Sequence, residues 1–154
     1  TGFAGTYWLQ VPAGTFVGSP LLHLHGLLFS LWTLFVVSQA ILIAYGRYGS
    51  HRSWGLAGIA LASAMLFTGS AVAISGLQHR IANGLGEAGR AFVIVPLSAM
   101  LLFAIFVGAA IVMRKHSDWH KRFMLVATVA LLNAAIARFF FPSPSPWYLR
   151  DCPL

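Results

Sequence analysis

Residues 54–77 read WGLAGIALASAMLFTGSAVAISGL, 24 consecutive positions without a charge. As an α-helix such a run spans about 30 Å of bilayer hydrocarbon, which takes roughly 20 residues. As a strand it fails. A membrane β-barrel alternates polar and apolar positions in segments of about ten residues, and this run is apolar on every face.

Three further stretches repeat the pattern. They lie at about 21–45, 91–113 and 123–141. The first is opened by Ser19-Pro20, a cap residue and a proline suited to the first helical position. The third carries Pro96 in its first turns, where proline is tolerated, and Pro142 ends the fourth. The reading is an all-α integral membrane four-helix bundle, residues 1–154 forming one domain.

Composition agrees. Apolar residues make up 58% of the 154, against about 45–50% in soluble domains, and only 8% are charged, against about 25%. Too few charges exist to cover a soluble surface, which excludes a soluble globular domain. The apolar content excludes disorder, and a single cysteine, Cys152, excludes a disulfide scaffold. Net charge is +7. In a soluble protein that balance would point to nucleic acid, but here the bases sit in short segments between apolar runs, so no nucleic-acid partner is expected. The opening residues show neither a signal-peptide pattern nor a lipidation motif.

Charge sets the expected orientation. Residues 46–53 carry Arg47 and Arg52 with no acid, and residues 114–122 carry Arg114, Lys115, Lys121 and Arg122 against Asp118. Residues 78–90 hold Arg80 and Arg90 against Glu87. Loops one and three are therefore placed in the cytoplasm and both termini on the outer, periplasmic side, in a bacterial inner membrane. Trp8, Trp54, Trp119, Trp147, Tyr7 and Tyr148 fall near span ends, as an interfacial aromatic belt requires. The Gly-rich segment 1–19 and the proline-set tail 142–154 are too short for a domain of their own and read as segments laid on the bundle or on a partner.

An internal echo links HRSWGLAGIAL from His51 with HKRFMLVATVAL from His120, at an offset of 69 residues. It implies two parallel helical hairpins, one–two and three–four, with His51 and His120 at equivalent depth.

The six histidines sort into two layers. His23, His25 and His79 lie toward the outside, and His51, His116 and His120 toward the cytoplasm. Two imidazole layers at opposite ends of a four-helix bundle match a b-type haem protein. Against that, the histidines are shallow, several are followed directly by a base, and His23 and His25 point about 200° apart on a helix. His116 precedes an expected Ser117/Asp118 cap. His51 and His120 are the first metal or haem ligands to suspect, with His23, His25, His79 and Arg138 as further cofactor contacts. Arg138 reads first as an interfacial side chain and second as an anion partner for a propionate, a lipid phosphate or Glu87. Asn133 is expected to face a neighbouring helix. The small residues of the second span (Gly55, Gly58, Ala62, Gly69 among them) read as packing, as do Phe29, Trp32 and Phe35. With three acids, all outside the spans, hydrolytic chemistry and a transmembrane proton relay are set aside, and a transporter has little to bind a polar substrate.

A His at the start of span one, Gln39 near its end, Gly46-Arg47, then His51-Arg52-x-x-Gly55 resembles a family of predicted four-helix bacterial membrane proteins of unknown function. The fourth span, His120-Lys121-Arg122-Phe123-Met124 followed by Ala134-Ala135-x-x-Arg138, is similar to that family's closing motif. The resemblance covers about 21–142. It implies motif roles for His51, Arg52, Gly55, His120 and Arg138 and carries no activity with it.

Two functions are expected from these features. The first is a non-catalytic accessory subunit of a larger membrane complex of respiratory or photosynthetic type, in contact with lipids and partner subunits. The second is a membrane redox protein with b-type haem.

Overall fold

A computed structural model describes residues 9, 12–14 and 19–132. It contains four helices, α1 Pro20–Ala44, α2 Tyr48–Ala82, α3 Gly86–Val112 and α4 Ser117–Leu131, and no strand among the described residues. The main packing pairs are α1 on α2, α2 on α3 and α3 on α4. With turns of three or four residues between them, neighbours run antiparallel, so α2 and α4 point the same way. The fold is the expected all-α bundle. Arg138, Asn133, the end of the fourth span, the tail 142–154 and most of 1–18 lie outside the described residues.

Helix bounds depart from the apolar runs in one direction. α2 begins six residues before Trp54 and ends five after Leu77, and α3 begins five before Ala91. His51, Arg52, His79, Arg80, Glu87 and Arg90 are therefore helical, not loop residues. Charge ends a hydrophobic run without ending a helix, because Arg, Glu and Lys are good helix formers. Backbone chemistry stops α1 and α2 instead. Gly46 and Gly84 have φ of 70° and 76°. Each donates to a carbonyl three residues back, and the residue after each donates five back (Arg47 to Leu42 at 2.8 Å, Leu85 to Arg80 at 2.9 Å). That pair of bonds is the left-handed glycine stop of a helix. Because α3 starts early, Pro96 stands eleven residues into it rather than in its first turns.

At 35 residues, α2 is about 52 Å long and outreaches the hydrocarbon layer. Three helical stretches, Pro20–Ala44, Tyr48–Ala82 and Gly89–Val112, are long and apolar enough to cross a membrane. Large apolar side chains such as Leu34, Leu56, Phe67, Ile94 and Leu101 stand exposed on the outer faces. That surface suits lipid tails and makes the chain an integral membrane protein.

The core is thin and built from a few interlocking pieces. Trp32, Met65 and Phe103 are its largest fully buried side chains, joined by Ala62, Val107 and Ala127. The indole of Trp32 meets the Phe103 ring edge-on at 5.0 Å and donates Nε1–H to Thr128 Oγ1 at 3.3 Å, tying α1 to α4. The buried positions of α2 are Gly58, Ala62, Met65 and Gly69, one stripe at helical spacing. Gly58 receives the ring of Phe35 and Gly69 the thioether of Met100, so these two serve close packing, as expected, whereas a Cβ at Gly55 would meet nothing within 4 Å.

Candidate metal centre at one end of the bundle

The turns 45–47 and 113–116 lie at the same end of the bundle. There α2 and α4 begin in the same way. Arg47 and His116 are the N-caps, and neither supplies a side-chain cap bond. The expected Ser117/Asp118 cap is thus displaced by one residue: His116 holds the extended cap conformation (φ −107°, ψ 91°) and Ser117 is the first helical residue. Four residues beyond each cap stand His51 and His120, whose amides bond back to the cap carbonyls at 3.0 Å in both cases.

The two imidazoles meet across the bundle. Their ring centroids are 6.2 Å apart and their planes are inclined by 87°. Both residues are half-buried. The His120 Nδ1 lies 2.8 Å from the carbonyl oxygen of Ala110 on α3, itself fully buried. A carbonyl only accepts, so Nδ1 carries the proton, which leaves Nε2 as the ring nitrogen available to a ligand. This is the outer-shell arrangement typical of a metal-ligating histidine. The Nδ1 of His51 is shielded from solvent and has no hydrogen-bond partner.

Gln39 belongs to the same layer. From the Trp32–Thr128 bond, Gln39 is seven residues along α1 and His120 eight along α4, about 10 Å and about 12 Å toward this end. Both polar atoms of its amide are shielded from solvent without a hydrogen-bond partner. Buried polar groups are nearly always satisfied, so a layer holding three such atoms calls for an explanation.

A metal held between two imidazole nitrogens, with bonds of about 2 Å and about 1.1 Å from each nitrogen to its ring centre, places the centroids about 6 Å apart. The observed separation fits. Bis-imidazole haem shares that axial geometry. The macrocycle fits less well, because it needs a chamber many waters wide beside the rings, and the amide of Gln39 and Nδ1 of His51 border no water-sized space. Among the described residues no group of three or more His, Cys, Asp and Glu could hold a metal. His51 and His120 are a pair of facing imidazoles with no third such group beside them among the described residues.

His116 is exposed. At the opposite end, the His25 ring stacks on Phe29 at 4.1 Å, and exposed His79 pairs with Asn83, Nε2 to Nδ2 at 3.1 Å. Arg80 lies over the ring of Phe92 at 4.3 Å. His23, His25 and His79 belong to no group of three or more His, Cys, Asp and Glu that could hold a metal among the described residues. Around the His51–His120 end, Tyr45, Tyr48, Trp54 and Trp119 are exposed, and Arg122 sits over Trp119 at 5.7 Å. These side chains suit a membrane–water boundary. Asp118 forms an exposed ion pair with Lys121, which holds its carboxyl below the usual range by hydrogen bond and charge. It is not directed to the histidines by any contact.

Sequence reasoning found the histidine pair through the echo and Gln39 through the resemblance. It missed Ala110, since a backbone carbonyl leaves no mark in a sequence, and Thr128, whose role depends on the register of α1 against α4. Against family models, curated proteins and solved structures, the chain finds no match.

Proposed function

We propose that this chain is a non-catalytic membrane subunit whose working part is one metal centre held between His51 and His120. The observation that carries the reading is the 6.2 Å, near-perpendicular meeting of the two rings, with His120 Nδ1 bound to the Ala110 carbonyl. Edge-to-face packing of two neutral imidazoles would explain the distance alone. It would leave the shielded Nδ1 of His51 and the shielded amide of Gln39 without an explanation. A subunit with such a centre would act by passing an electron or an ion to a neighbouring membrane protein. The accessory role in a larger respiratory or photosynthetic type of complex attaches here.

The test is purification in mild detergent, followed by elemental analysis and an absorption spectrum of the reduced protein. A transition metal or haem at one per chain, lost in both His51→Leu and His120→Leu, is expected. A folded parent protein that holds neither haem nor metal, and takes up neither when offered, defeats the proposal.

A further inference from the structure

We infer that the centre is a single Cu(I) ion bound linearly by the two imidazoles, not haem iron and not a divalent ion. The inference rests on the reading of His51 and His120 as ligands. Three observations narrow the ion.

The first is ligand number. Zn²⁺ in proteins takes four ligands, and Mg²⁺, Mn²⁺ and Ca²⁺ take six or more. The described residues offer no third His, Cys, Asp or Glu beside the pair. Two imidazoles are a complete set for only two common centres: haem iron, whose macrocycle supplies four nitrogens, and Cu(I), a d¹⁰ ion stable in linear two-coordination. Imidazole is a good copper ligand.

The second is space. A bare ion between two rings needs no chamber, and the amide of Gln39 and Nδ1 of His51 are shielded from solvent. The 6.2 Å centroid separation is compatible with two nitrogen–metal bonds of about 2 Å.

The third is charge. Among the described residues no acid contacts the pair: Asp118 is engaged by Lys121 in an exposed ion pair, and Glu87 lies at the far end of the bundle. Arg52 and Lys121 directly follow the two histidines. With neutral imidazoles the site carries the full charge of its ion. The desolvation cost scales with charge squared, so a divalent ion costs about fourfold more than a monovalent one in the same place, and the flanking bases repel it twice as strongly. Both rings are half-buried near a helix start, which leaves the ion a path from water.

Binding transfers no electron. Cu(I) arrives as Cu(I), displaces its carrier ligands, and forms two Cu–N bonds. The His120 proton stays on Nδ1, held by the Ala110 carbonyl. Any proton on the ligating nitrogen of His51 leaves to water.

The experiment is an anaerobic titration of the metal-free, detergent-purified chain with Cu(I) in competition with bathocuproine disulfonate. X-ray absorption at the copper edge accompanies it, and far-ultraviolet circular dichroism confirms helicity for every variant. We expect one Cu(I) per chain with the intense 1s→4p edge feature of two-coordinate Cu(I). His51→Leu and His120→Leu should each weaken binding by about 100-fold or more, beyond what outer-shell groups carry. His51→Met, similar in bulk to Leu but with a thioether that ligates Cu(I), should restore affinity to within about tenfold of the parent. Haem that co-purifies with the parent and is lost in His51→Leu overturns Cu(I) while leaving the paired-ligand reading intact. Zn²⁺ that competes on equal terms also overturns Cu(I) alone. A folded parent that binds no ion and no haem overturns both.

Discussion

His51 and His120 occupy the same position in their helices. Each is the fourth residue, each amide returns to its N-cap carbonyl at 3.0 Å, and the caps Arg47 and His116 are separated by the same 69 residues as the histidines. The partner helices end one residue out of that register, α1 at Ala44 and α3 at Val112, because the second turn is one residue longer. Two helix starts of matching phase still face one another, and symmetry of position becomes proximity of side chains. Only one ring is anchored, however. Ala110 serves His120, and no matching carbonyl serves Nδ1 of His51. The imidazole pair thus has one anchored and one unanchored member.

The two close-packed glycines of α2 should respond differently to a methyl group. At Gly58 an added Cβ would overlap the Phe35 ring, and at Gly69 the flexible end of Met100. A ring wedged against a core has nowhere to turn, whereas a thioether moves aside. Gly58→Ala is expected to cost about 1–3 kcal/mol. Gly69→Ala should be near neutral, because the gain in helix propensity of about 1 kcal/mol offsets the displacement. Reversible unfolding in mixed detergent–SDS micelles measures both. Equal losses would show that Met100 is as constrained as Phe35.

Trp32 links three helices. Trp32→Ala removes the largest core side chain and is expected to destabilise by about 3–5 kcal/mol. Thr128→Val keeps the volume and removes the acceptor of the indole N–H. Interhelical hydrogen bonds within membranes average about 0.6 kcal/mol, so the same unfolding assay should find a loss of that size. A loss as large as that of Trp32→Ala would mean that the bond, not the packing, holds α1 to α4.

The acidic side of the pH response can be assigned. Asp118 is held below its usual range by Lys121. A depressed carboxyl contributes stability that is present above its unfolded value, near 3.9, and lost as pH falls through the lower folded value. Because both side chains are exposed, salt screens the pair. Carboxyl NMR should place the Asp118 midpoint below 3.9 at low salt, with the shift shrinking at 1 M salt or in Lys121→Ala. A midpoint at or above 3.9 would show that the ion pair does not persist in solution.

Most of the fold was legible because a bilayer imposes a single demand, about 20 apolar residues per crossing, and 54–77 answers it plainly. Helix ends were less legible, since hydropathy reports where lipid stops and glycine geometry at Gly46 and Gly84 reports where the helix stops. His51 and His120 were legible as a pair from the echo, with their depth expected to match. Their contact depends on how α2 and α4 turn about their axes, which no local pattern encodes. The lone-pair logic of His120 was invisible because its cause is the carbonyl of Ala110, ten residues away on another helix.

Orientation is open to a direct measurement. Ser50 and Glu87 are exposed at opposite ends of the bundle. With Cys152→Ser as background, a cysteine at 50 should resist a membrane-impermeant maleimide in intact cells and react after permeabilisation. A cysteine at 87 should react in both. The expectation rests on the bases Arg47, Arg52, Arg114, Lys115, Lys121 and Arg122 gathered at the end that holds Ser50. Labelling at 50 from outside reverses the topology.

Gln39 separates a structural role from a binding one. Its amide is shielded and makes no hydrogen bond within the chain. If nothing else reaches it, Gln39→Leu replaces an unsatisfied amide with an apolar side chain of similar size, and relief of the desolvation penalty should stabilise the metal-free protein by about 1–3 kcal/mol. The register also places Gln39 within about one turn of the level of both histidines. There its carbonyl could lie against the bound ion and its NH₂ against a ring nitrogen. The same substitution should then weaken Cu(I) binding by about tenfold, as loss of an outer-shell partner does. Stability and affinity would move in opposite directions, a combination that packing alone does not produce. The unfolding assay on the metal-free chain and the bathocuproine competition give the two numbers from one preparation. A gain in stability with unchanged affinity removes Gln39 from the site and leaves the two imidazoles as its only polar contacts. A loss of stability would show that the amide has a partner within the folded chain after all.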